Sequence, residues 1–548
     1  MKKKTITSAS FTIVILLQNI LAFQGNCQAP SGQKQTADAM KFEPTWESLQ
    51  QYKVPDWFRN AKFGIWAHWG PQCQPEQGDW YGRFMYAEGS DQYKWHIAHY
   101  GHPSSAGFKE VIHDWKAENW DPHKLVSLYK RAGAQYFFAM ANHHDNLDLW
   151  DSKYQHWNSV RVGPKKDIIS GWAKAAKENN LPFGLSIHAS HAWTWFETAQ
   201  RADTAGQFKG IPYDGNLRKE DGNGKWWEGL DPQELYAQNH DLSEGSENIY
   251  SLWKQWDWSN GASKPSEEYC NKFYNRVIDL VNQFNPDLLY FDDTVLPFYP
   301  VNDVGLKIAA HFYNHNIATH EGKLEAVMFG KVLNADQKKC MVWDVERGAP
   351  DKAQPLAWQT CTCIGDWHYK KSIYENSQYK SARTVIHMLV DIVSKNGNML
   401  LNIPVKGDGT IDEKEVEILE RIAQWMEINK ESIFNTRPWI VFGEGPTAEL
   451  ANPVNAAGFN EGKTEHKSTD IRFNQNGKFV YATTLGVPDA KTIIRSLGKE
   501  KNNGVIKKIQ LLGSHEEISW KQTDERLTIE KPKAAPNSIA LVFKIELR

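Results

Sequence analysis

Two adjacent aspartates, Asp292 and Asp293, end an apolar run in the segment NPDLLYFDDTV. The run 288–291 is typical of a buried strand, because short apolar runs bounded by turn-forming residues usually are. A carboxylate is costly to bury without a partner. A strand that leads directly into two carboxylates therefore indicates a functional site at its end.

Polar and aromatic side chains follow the other predicted strands as well. They are, in chain order, His68 with Trp69, Asn142 to Asp145, His188 with His191 and Trp193, and Asp344 with Glu346. In a parallel barrel the carboxyl ends of the strands meet at one mouth, so we expect these side chains to converge there. The predicted site combines imidazoles, aromatic rings and a small number of carboxylates.

Several other chemistries lack their sequence signals. The chain has no HExxH-type zinc motif, no Gly-x-Ser-x-Gly nucleophile elbow and no glycine-rich phosphate loop. His143 and His144 are adjacent, and adjacent side chains of a strand point to opposite faces, which argues against their sharing one metal ion. We therefore predict a reaction that uses no metal and no other cofactor.

Two carboxylates in a cleft rich in aromatic side chains are suited to glycoside hydrolysis. One carboxylate acts as the nucleophile and the other as the general acid and base. The chain contains 24 Trp, 20 Tyr and 24 Phe, and rings with an apolar face and a polar edge suit sugars. The net charge of -3 indicates neither a nucleic acid nor an anionic surface as partner. A carbohydrate substrate is the prediction that follows.

The elements that must position these residues alternate between strands and helices up to about residue 437. Amphipathic segments separate several of the predicted strands, which lie at 62–69, 136–141, 183–189, 288–291, 325–329 and 340–343. This alternation implies parallel β/α units. Six strands over so long a span favour a (β/α)₈-like, TIM-type barrel, assigned to residues 30–437. The polar segment 200–262 reads as an extended barrel loop, a usual place for specificity.

The texture of the sequence changes after Pro438. Short β-like runs separated by Gly, Asn and Asp follow one another without a clear helix. This pattern predicts a C-terminal β-sandwich over residues 438–548.

The N-terminus has the order of a secretory signal peptide. Lysines at positions 2–4 precede the apolar run FTIVILLQNILAF, which is short for a membrane span. We predict a signal peptide over 1–29 with cleavage near Ala29, export to the periplasm or the medium, and no membrane span. A lipid anchor at Cys27 is less favoured, because FQGNC is a poor lipobox.

The other five cysteines are odd in number and lack the spacing of a disulfide framework. Export would permit disulfides, but we expect these residues to be buried free thiols. They are Cys73, Cys270, Cys340, Cys361 and Cys363.

Four motifs resemble those of the α-L-fucosidases of glycoside hydrolase family 29. AKFGIWAHWGP is similar to the first-strand signature of the family, NHHDNLDLWDS to its His-His-Asp motif and NPDLLYFDD to its nucleophile strand. VSKNGNMLLNIPVKGDGTI, followed by NTRPW, is similar to its barrel-closing segment. The matches are collinear from about residue 44 to 440. The resemblance implies a (β/α)₈-like barrel followed by a β-sandwich, which agrees with the strand pattern.

The resemblance also implies roles for individual residues. Asp292 matches the nucleophile, and we assign the acid/base to Glu346 in WDVERGAP. Gln359 stands where many relatives have Glu, and an amide cannot serve as the acid. His68, His143, His144, Trp80 and Tyr81 match sugar-contacting residues, and we add Trp69, His188, Trp343 and Trp358 as further contacts.

The second-strand motif departs from the family pattern. Asn142 replaces a usual Lys, and Asn146 and Leu147 replace a common Gly-Phe pair. These changes are expected to alter the pocket wall, so L-galactose, which adds a C6 hydroxyl to L-fucose, is an alternative sugar. The expected partner is a fucosylated or L-galactosylated oligosaccharide. A carbohydrate-binding protein that has lost the chemistry is the second alternative.

Overall fold

The computed structural model describes residues 41–238, 240–246, 256–454, 458–462 and 465–548. The predicted signal peptide lies outside these residues. From Met40 onward the chain forms one compact unit. Within the described residues, no helix combines the length and the apolar character needed to cross a bilayer.

Eight parallel strands close into a barrel in chain order, with β1 paired to both β2 and β8. They are β1 Phe63–Ala67, β2 Tyr136–Asn142, β3 Phe183–Ile187, β4 Leu288–Phe291, β5 Val327–Gly330, β6 Val342–Glu346, β7 Trp358–Cys363 and β8 Gly397–Asn402. The predicted TIM-type barrel is confirmed. The six predicted strands correspond to β1–β6, whereas β7 and β8 were not predicted. The segment 200–262 lies in the connection between β3 and β4.

Helices surround the barrel and connect its strands. Several begin at side-chain caps, as where Asp121, Asp167 and Ser266 accept a backbone N–H of the first turn. Among the described residues, the α-helices are Trp46–Leu49, Asp56–Ala61, Tyr81–Phe84, Asp91–His99, Phe108–Asp114, Pro122–Arg131, Ile168–Glu178, Ala192–Trp195, Pro232–Tyr236, Glu267–Phe284, Val304–Thr319, Lys371–Glu375, Ala382–Ser394 and Glu413–Asn429.

Side-chain alternation along the strands sorts the barrel interior into layers. Because residues two apart point to the same face of a strand, each strand that enters the site supplies one side chain to a lower layer and one to the mouth. The lower layer includes Trp66, Ser186, Tyr290 and Asp344, and the layer above it includes His68, His188, Asp292 and Glu346. The reactive side chains therefore stand on a floor made by their own strands.

At and below this floor, buried polar groups form hydrogen bonds with one another. Tyr136 donates its hydroxyl hydrogen to Gln359 Oε1 at 2.9 Å, and Gln359 Nε2 donates to Asp344 Oδ2 at 2.9 Å. Burial raises the pKa of Asp344 to about 6. Tyr136 fits against β1 because Gly64 faces its ring, where a Cβ would lie 2.2 Å away. Gln359 thus belongs to the barrel interior and not to the mouth.

The C-terminal part forms two antiparallel sheets, as predicted for a β-sandwich. A five-stranded sheet has the order β13-β16-β11-β10-β9 and a three-stranded sheet the order β12-β15-β14. The strands are β9 Arg437–Glu444, β10 Ile471–Asn476, β11 Phe479–Thr484, β12 Thr492–Ile494, β13 Ile506–Leu511, β14 Trp520–Gln522, β15 Leu527–Ile529 and β16 Leu541–Leu547. Trp439 and Phe473 belong to a separate apolar core between these strands.

All five cysteines predicted to be free thiols are buried and unpaired, which confirms that prediction. Each lies within the part of the chain that the structure describes, and Cys27 lies outside it.

The barrel and the C-terminal sheets are joined by a buried ion pair. Arg472 on β10 donates from Nε to Asp391 Oδ1 at 2.5 Å, and Asp391 lies on helix Ala382–Ser394. Lys395 Nζ lies 2.7 Å from the other carboxylate oxygen. Although burial opposes ionisation, these two cations hold the pKa of Asp391 far below its usual range. A second pair, Lys544–Glu431, also spans the two parts but is more exposed.

We predict that Arg472→Met destabilises the protein by about 3 kcal/mol, because it removes one partner of a buried carboxylate. Lys544→Met is the matched control, and removing a partly exposed pair should cost less than about 1 kcal/mol. The midpoint of urea-induced unfolding measures both effects. Equal midpoints for the two variants would contradict the assigned role of Arg472.

Candidate active site

A pocket of about 280 Å³ opens at the carboxyl ends of the barrel strands. Six residues predicted from the sequence line it: His68, Trp80, His143, His188, Asp292 and Glu346. Residues that were not predicted line it as well, namely Trp66, Asp79, Trp256, Tyr290, Asp293, Thr294, Lys331, Val332, Trp367 and Phe459. The strand ends thus bring the two proposed catalytic carboxylates into one cavity.

Asp292 is surrounded by hydrogen-bond donors. Its Oδ2 lies 3.1 Å from His144 Nε2 and 3.2 Å from His188 Nδ1, while its Oδ1 contacts the ammonium of Lys331. Burial by itself would raise the pKa of Asp292, but Lys331 and the two imidazoles outweigh it. The pKa therefore lies well below its usual range, and Asp292 is a carboxylate.

Glu346 meets the same ammonium from the other side. Lys331 Nζ lies 2.5 Å from Glu346 Oε2 and also faces the ring of Tyr290, with 5.8 Å to its centroid. Burial raises the pKa of Glu346, Lys331 lowers it, and the negative charge of Asp292 raises it, with a net increase. The environment therefore moves the pKa values of the two carboxyl groups apart, which favours ionised Asp292 and protonated Glu346.

Imidazoles form one wall of the pocket. The rings of His68, His143 and His188 lie with centroids 5.0–5.1 Å apart. Burial, reinforced by the neighbouring imidazoles, lowers the pKa of all three, to about 4 for His188. These rings are neutral at pH 7, and a neutral imidazole both donates and accepts hydrogen bonds. Among the described residues, neither ring nitrogen of His68 has a hydrogen-bond partner. The wall can therefore bind hydroxyl groups.

The imidazoles also form two clusters with metal-ligating atoms within 4.8 Å of one another: His68, Asp79, His143 and His368, and His143, His144 and His188. The prediction that His143 and His144 diverge was wrong. Strand β2 ends at Asn142, so strand alternation does not apply to the two residues that follow, and their ring centroids lie 4.4 Å apart. The donor sets would suit a transition metal, although the chemistry of the two carboxylates uses none.

Aromatic rings line the pocket beside the imidazoles. Trp80 stacks on Trp256 at 5.7 Å between centroids and 14° between planes, and Trp256 stacks on His191 at 3.9 Å. Trp66 and Trp367 pack 5.5 Å apart at the base. Trp256 belongs to the extended loop between β3 and β4, so this loop contributes to the pocket as expected.

Other residues assigned to the sugar lie away from the pocket. The indole N–H of Trp69 donates to Lys406 O and that of Trp358 to Lys395 O. The hydroxyl of Tyr81 contacts His96, and Trp343 packs under the ammonium of Lys338. Trp343 precedes Asp344 on β6, so strand alternation turns its indole away from the pocket. Trp69 lies beyond the end of β1 and packs with Trp115 and Trp120.

His144, which was predicted, and Asp293, which was not, support the site through contacts with their neighbours. His144 does not line the cavity, but it contacts Asp292 and its Nδ1 lies 2.8 Å from His188 O. Asp293 turns away from Asp292, accepts from Ser190 Oγ at 2.7 Å and contacts His191. It therefore braces the loop after β3.

The side chains of Asn142 and Asn146, which depart from the family pattern, do not line the pocket. Asn142 Oδ1 accepts the backbone N–H groups of His188 and Ala189, and Asn146 donates to the carbonyls of Glu234 and Leu235. Both side chains support backbone segments. They give no reason to prefer a sugar with an additional hydroxyl.

Lys331 is the main functional residue that sequence reasoning missed, although a signal was present. Lys331 directly follows β5, one of the strands predicted from the sequence. In a parallel barrel, polar residues at the carboxyl end of a strand point to the site, and the same reasoning applied to β5 would have selected Lys331. Phe459 carried no comparable signal, because it lies beyond the barrel and meets the pocket only through tertiary packing.

The chain matches two family models. The model described as alpha-L-fucosidase covers residues 29–431, and the model described as alpha-L-fucosidase C-terminal domain covers residues 464–546. The tissue alpha-L-fucosidase of Mus musculus is 24% identical over 93% of this chain and 94% of its own length. The tissue alpha-L-fucosidase of Homo sapiens is 24% identical over 92% of this chain and 90% of its own length.

Among solved structures, Thermotoga maritima alpha-fucosidase in complex with a mechanism-based inhibitor has a TM-score of 0.67 and 24% identity. The match covers 92% of this chain and all of that one. The fold therefore agrees across both parts of the chain, and the family model spans the whole barrel. The chain belongs to the alpha-L-fucosidase family, glycoside hydrolase family 29.

Proposed function

We propose that this protein is an exo-acting, retaining α-L-fucosidase that releases terminal α-L-fucosyl residues from glycans. The observation that carries the retaining mechanism is the ammonium of Lys331, which contacts both Asp292 and Glu346. Two oxygens that share one ammonium lie at most about 6 Å apart, twice an ordinary hydrogen-bond length. Retaining glycosidases place their carboxyl groups about 5–5.5 Å apart and inverting ones about 6.5–9.5 Å apart.

In the first step, Asp292 Oδ attacks the anomeric carbon as the bond to the leaving oxygen breaks. Glu346 donates its proton to that oxygen, and a covalent glycosyl-enzyme forms. In the second step Glu346, now a carboxylate, takes a proton from water as the water oxygen attacks the anomeric carbon. The ester bond breaks, Asp292 is regenerated and the sugar leaves with its original anomeric configuration.

Lys331 suits both steps. Before the attack, the charge of Asp292 raises the pKa of Glu346 and keeps the acid protonated. Once Asp292 is esterified, that charge is consumed and Lys331 acts on Glu346 alone, which lowers the pKa of the group that must now be a base. A single cation between two carboxyl groups thereby supports their exchange of roles.

The remaining groups select and shield the sugar. The neutral imidazoles of His68 and His143 offer hydrogen bonds to its hydroxyls, while both ring nitrogens of His188 are held by Asp292 and Ser186. Trp80 and Trp256 cover the apolar face of the sugar. The fucosidase names of the curated relatives, and a solved Thermotoga maritima alpha-fucosidase in complex with fucose, support L-fucose as the sugar.

We also propose that the protein is exported after cleavage of residues 1–29, on the signal-peptide pattern of the N-terminus. Mass spectrometry of the protein secreted by its native host tests the cleavage site. A mature chain that still begins at Met1 would refute export by this route.

The substrate is tested with aryl α-L-fucoside and aryl α-L-galactoside. We expect the fucoside to be turned over with a kcat/KM about a hundredfold higher, the penalty that apolar pockets impose on an added hydroxyl. A preference for the galactoside would keep the mechanism and change the sugar. No turnover of any fucoside, fucosylated glycans included, would support the binding-protein alternative.

The two carboxylates are distinguished by azide rescue. We expect Asp292→Gly to lower kcat on the aryl fucoside at least about a thousandfold, and azide to restore turnover by attack from the vacated face, giving the β-fucosyl azide. Glu346→Gly should lower kcat about 10²–10⁴-fold, the contribution of a general acid. With azide this variant should form the α-fucosyl azide. Product configuration is read by NMR. The opposite pairing of variants and products would reverse the assignment.

The pH profile of kcat/KM tests Lys331. Asp292 must be ionised and Glu346 protonated, so activity falls below the low pKa of Asp292 and above the raised pKa of Glu346. Lys331→Met removes the cation that lowers both pKa values, and both limbs should move to higher pH. We expect at least about a tenfold loss at pH 4, one pKa unit being tenfold. Lys331→Arg is the charge-conserving control. A profile that is merely scaled would contradict this role.

A further inference from the structure

A short segment after the barrel, residues 458–462, reaches the catalytic pocket. Phe459 lines the pocket, yet 49% of its surface is exposed. The other large aromatic side chains of the pocket are more buried. Phe459 therefore presents an apolar face at the rim, on the solvent side of the cavity.

The backbone of this segment is bonded to the strand that carries Glu346. Phe459 N donates to Glu346 O at 2.7 Å, and Glu461 N donates to Arg347 O at 2.7 Å. Gly458 makes this approach possible, because a Cβ there would lie 2.2 Å from Glu346 O and its φ of +119° favours glycine. The ring of Phe459 is thus positioned relative to the proposed acid.

Side chains hold the segment from both sides. Asn460 Oδ1 accepts from Ala349 N and Asn460 Nδ2 donates to Ala349 O, both at 3.0 Å. Glu461 accepts from Thr362 Oγ1 at 2.8 Å and pairs with Lys380 at 2.7 Å. These contacts fix the segment to β7 and to the loop after β6, so the exposure of Phe459 is imposed by a well-anchored backbone.

The chemistry of Glu346 defines what lies beside Phe459. The acid donates its proton to the glycosidic oxygen, and the atoms beyond that oxygen belong to the leaving group. Asp292 approaches the sugar from the other side of the anomeric carbon. A side chain tied to the backbone of Glu346 and facing out of the pocket therefore lies on the leaving-group side.

We propose that Phe459 is the platform of a leaving-group subsite and that the leaving group it binds is a pyranose sugar. A pyranose has an apolar face of C–H groups and a rim of hydroxyls. Phe459 supplies the apolar surface against which that C–H face packs, and its exposed position leaves the hydroxyl rim in water. This subsite rests on the proposed fucosidase function and extends it to the choice of glycan.

The test compares substrates that differ only in the leaving group. α-L-Fucosyl fluoride has a single atom in that position, whereas a disaccharide of α-L-fucose linked to a galactoside fills the subsite. We expect Phe459→Ala to lower kcat/KM on the disaccharide about three- to tenfold, the range of an aromatic stacking contact. On fucosyl fluoride the loss should be smaller than on the disaccharide, and Phe459→Trp should retain disaccharide turnover.

Leu450→Ala is the matched control, because Leu450 is also exposed in the C-terminal part, at 54%, but does not line the catalytic pocket. Leu450→Ala should leave kcat/KM unchanged on both substrates. Equal loss on both substrates in Phe459→Ala, or no loss on the disaccharide, would overturn the subsite. Wild type that fails to turn over fucosyl fluoride would instead overturn the fucosidase function, and the subsite with it.

Discussion

A single buried ammonium, that of Lys331, is the interaction on which the site depends. Taking two carboxylates out of water is unfavourable unless a cation and further donors compensate. Lys331 contacts both Asp292 and Glu346, and the imidazoles of His144 and His188 complete the shell of Asp292. Because strands β4, β5 and β6 are neighbours in the barrel, their ends deliver all three groups to one place. The closed sheet sets the distances, and the chemistry follows from them.

The sequence predicted most of the strands that a local residue pattern marks, but few of the contacts between segments that are far apart in the chain. The run 288–291 was recognised at its full length because apolar runs and turn-forming residues mark strands directly. Strands β7 and β8 were not predicted, because Thr, Asn and Cys interrupt their apolar pattern. Their burial results from the closure of the barrel. Alternation along β6 brought Glu346 into the pocket and turned Trp343 away from it. Trp69, next to His68 in the chain, packs with Trp115 and Trp120 instead. Proximity in the chain had suggested both indoles, but proximity does not fix the direction in which a side chain points.

The two parts of the chain are not independent. Asp391 of the barrel depends on Arg472 of the C-terminal sheet, and segment 458–462, which lies between β9 and β10, bonds to the backbone of Glu346 on β6. Both parts of the chain therefore contribute to the pocket and to its support. Their contribution could not be inferred from strand patterns, since Phe459 and Glu346 are far apart in the chain and meet only through tertiary packing.

The buried cysteines have a consequence for the surroundings in which the folded chain stays chemically unchanged. Burial raises the pKa of Cys73, Cys270 and Cys363 to about 12 and that of Cys340 to about 11. The thiolate is the species that reacts with oxidants and disulfides, and these thiols supply very little of it. Over the described residues, no cross-link is needed to complete the fold. The covalent structure of this part of the chain is therefore the same in a reducing cytosol and in an oxidising exterior.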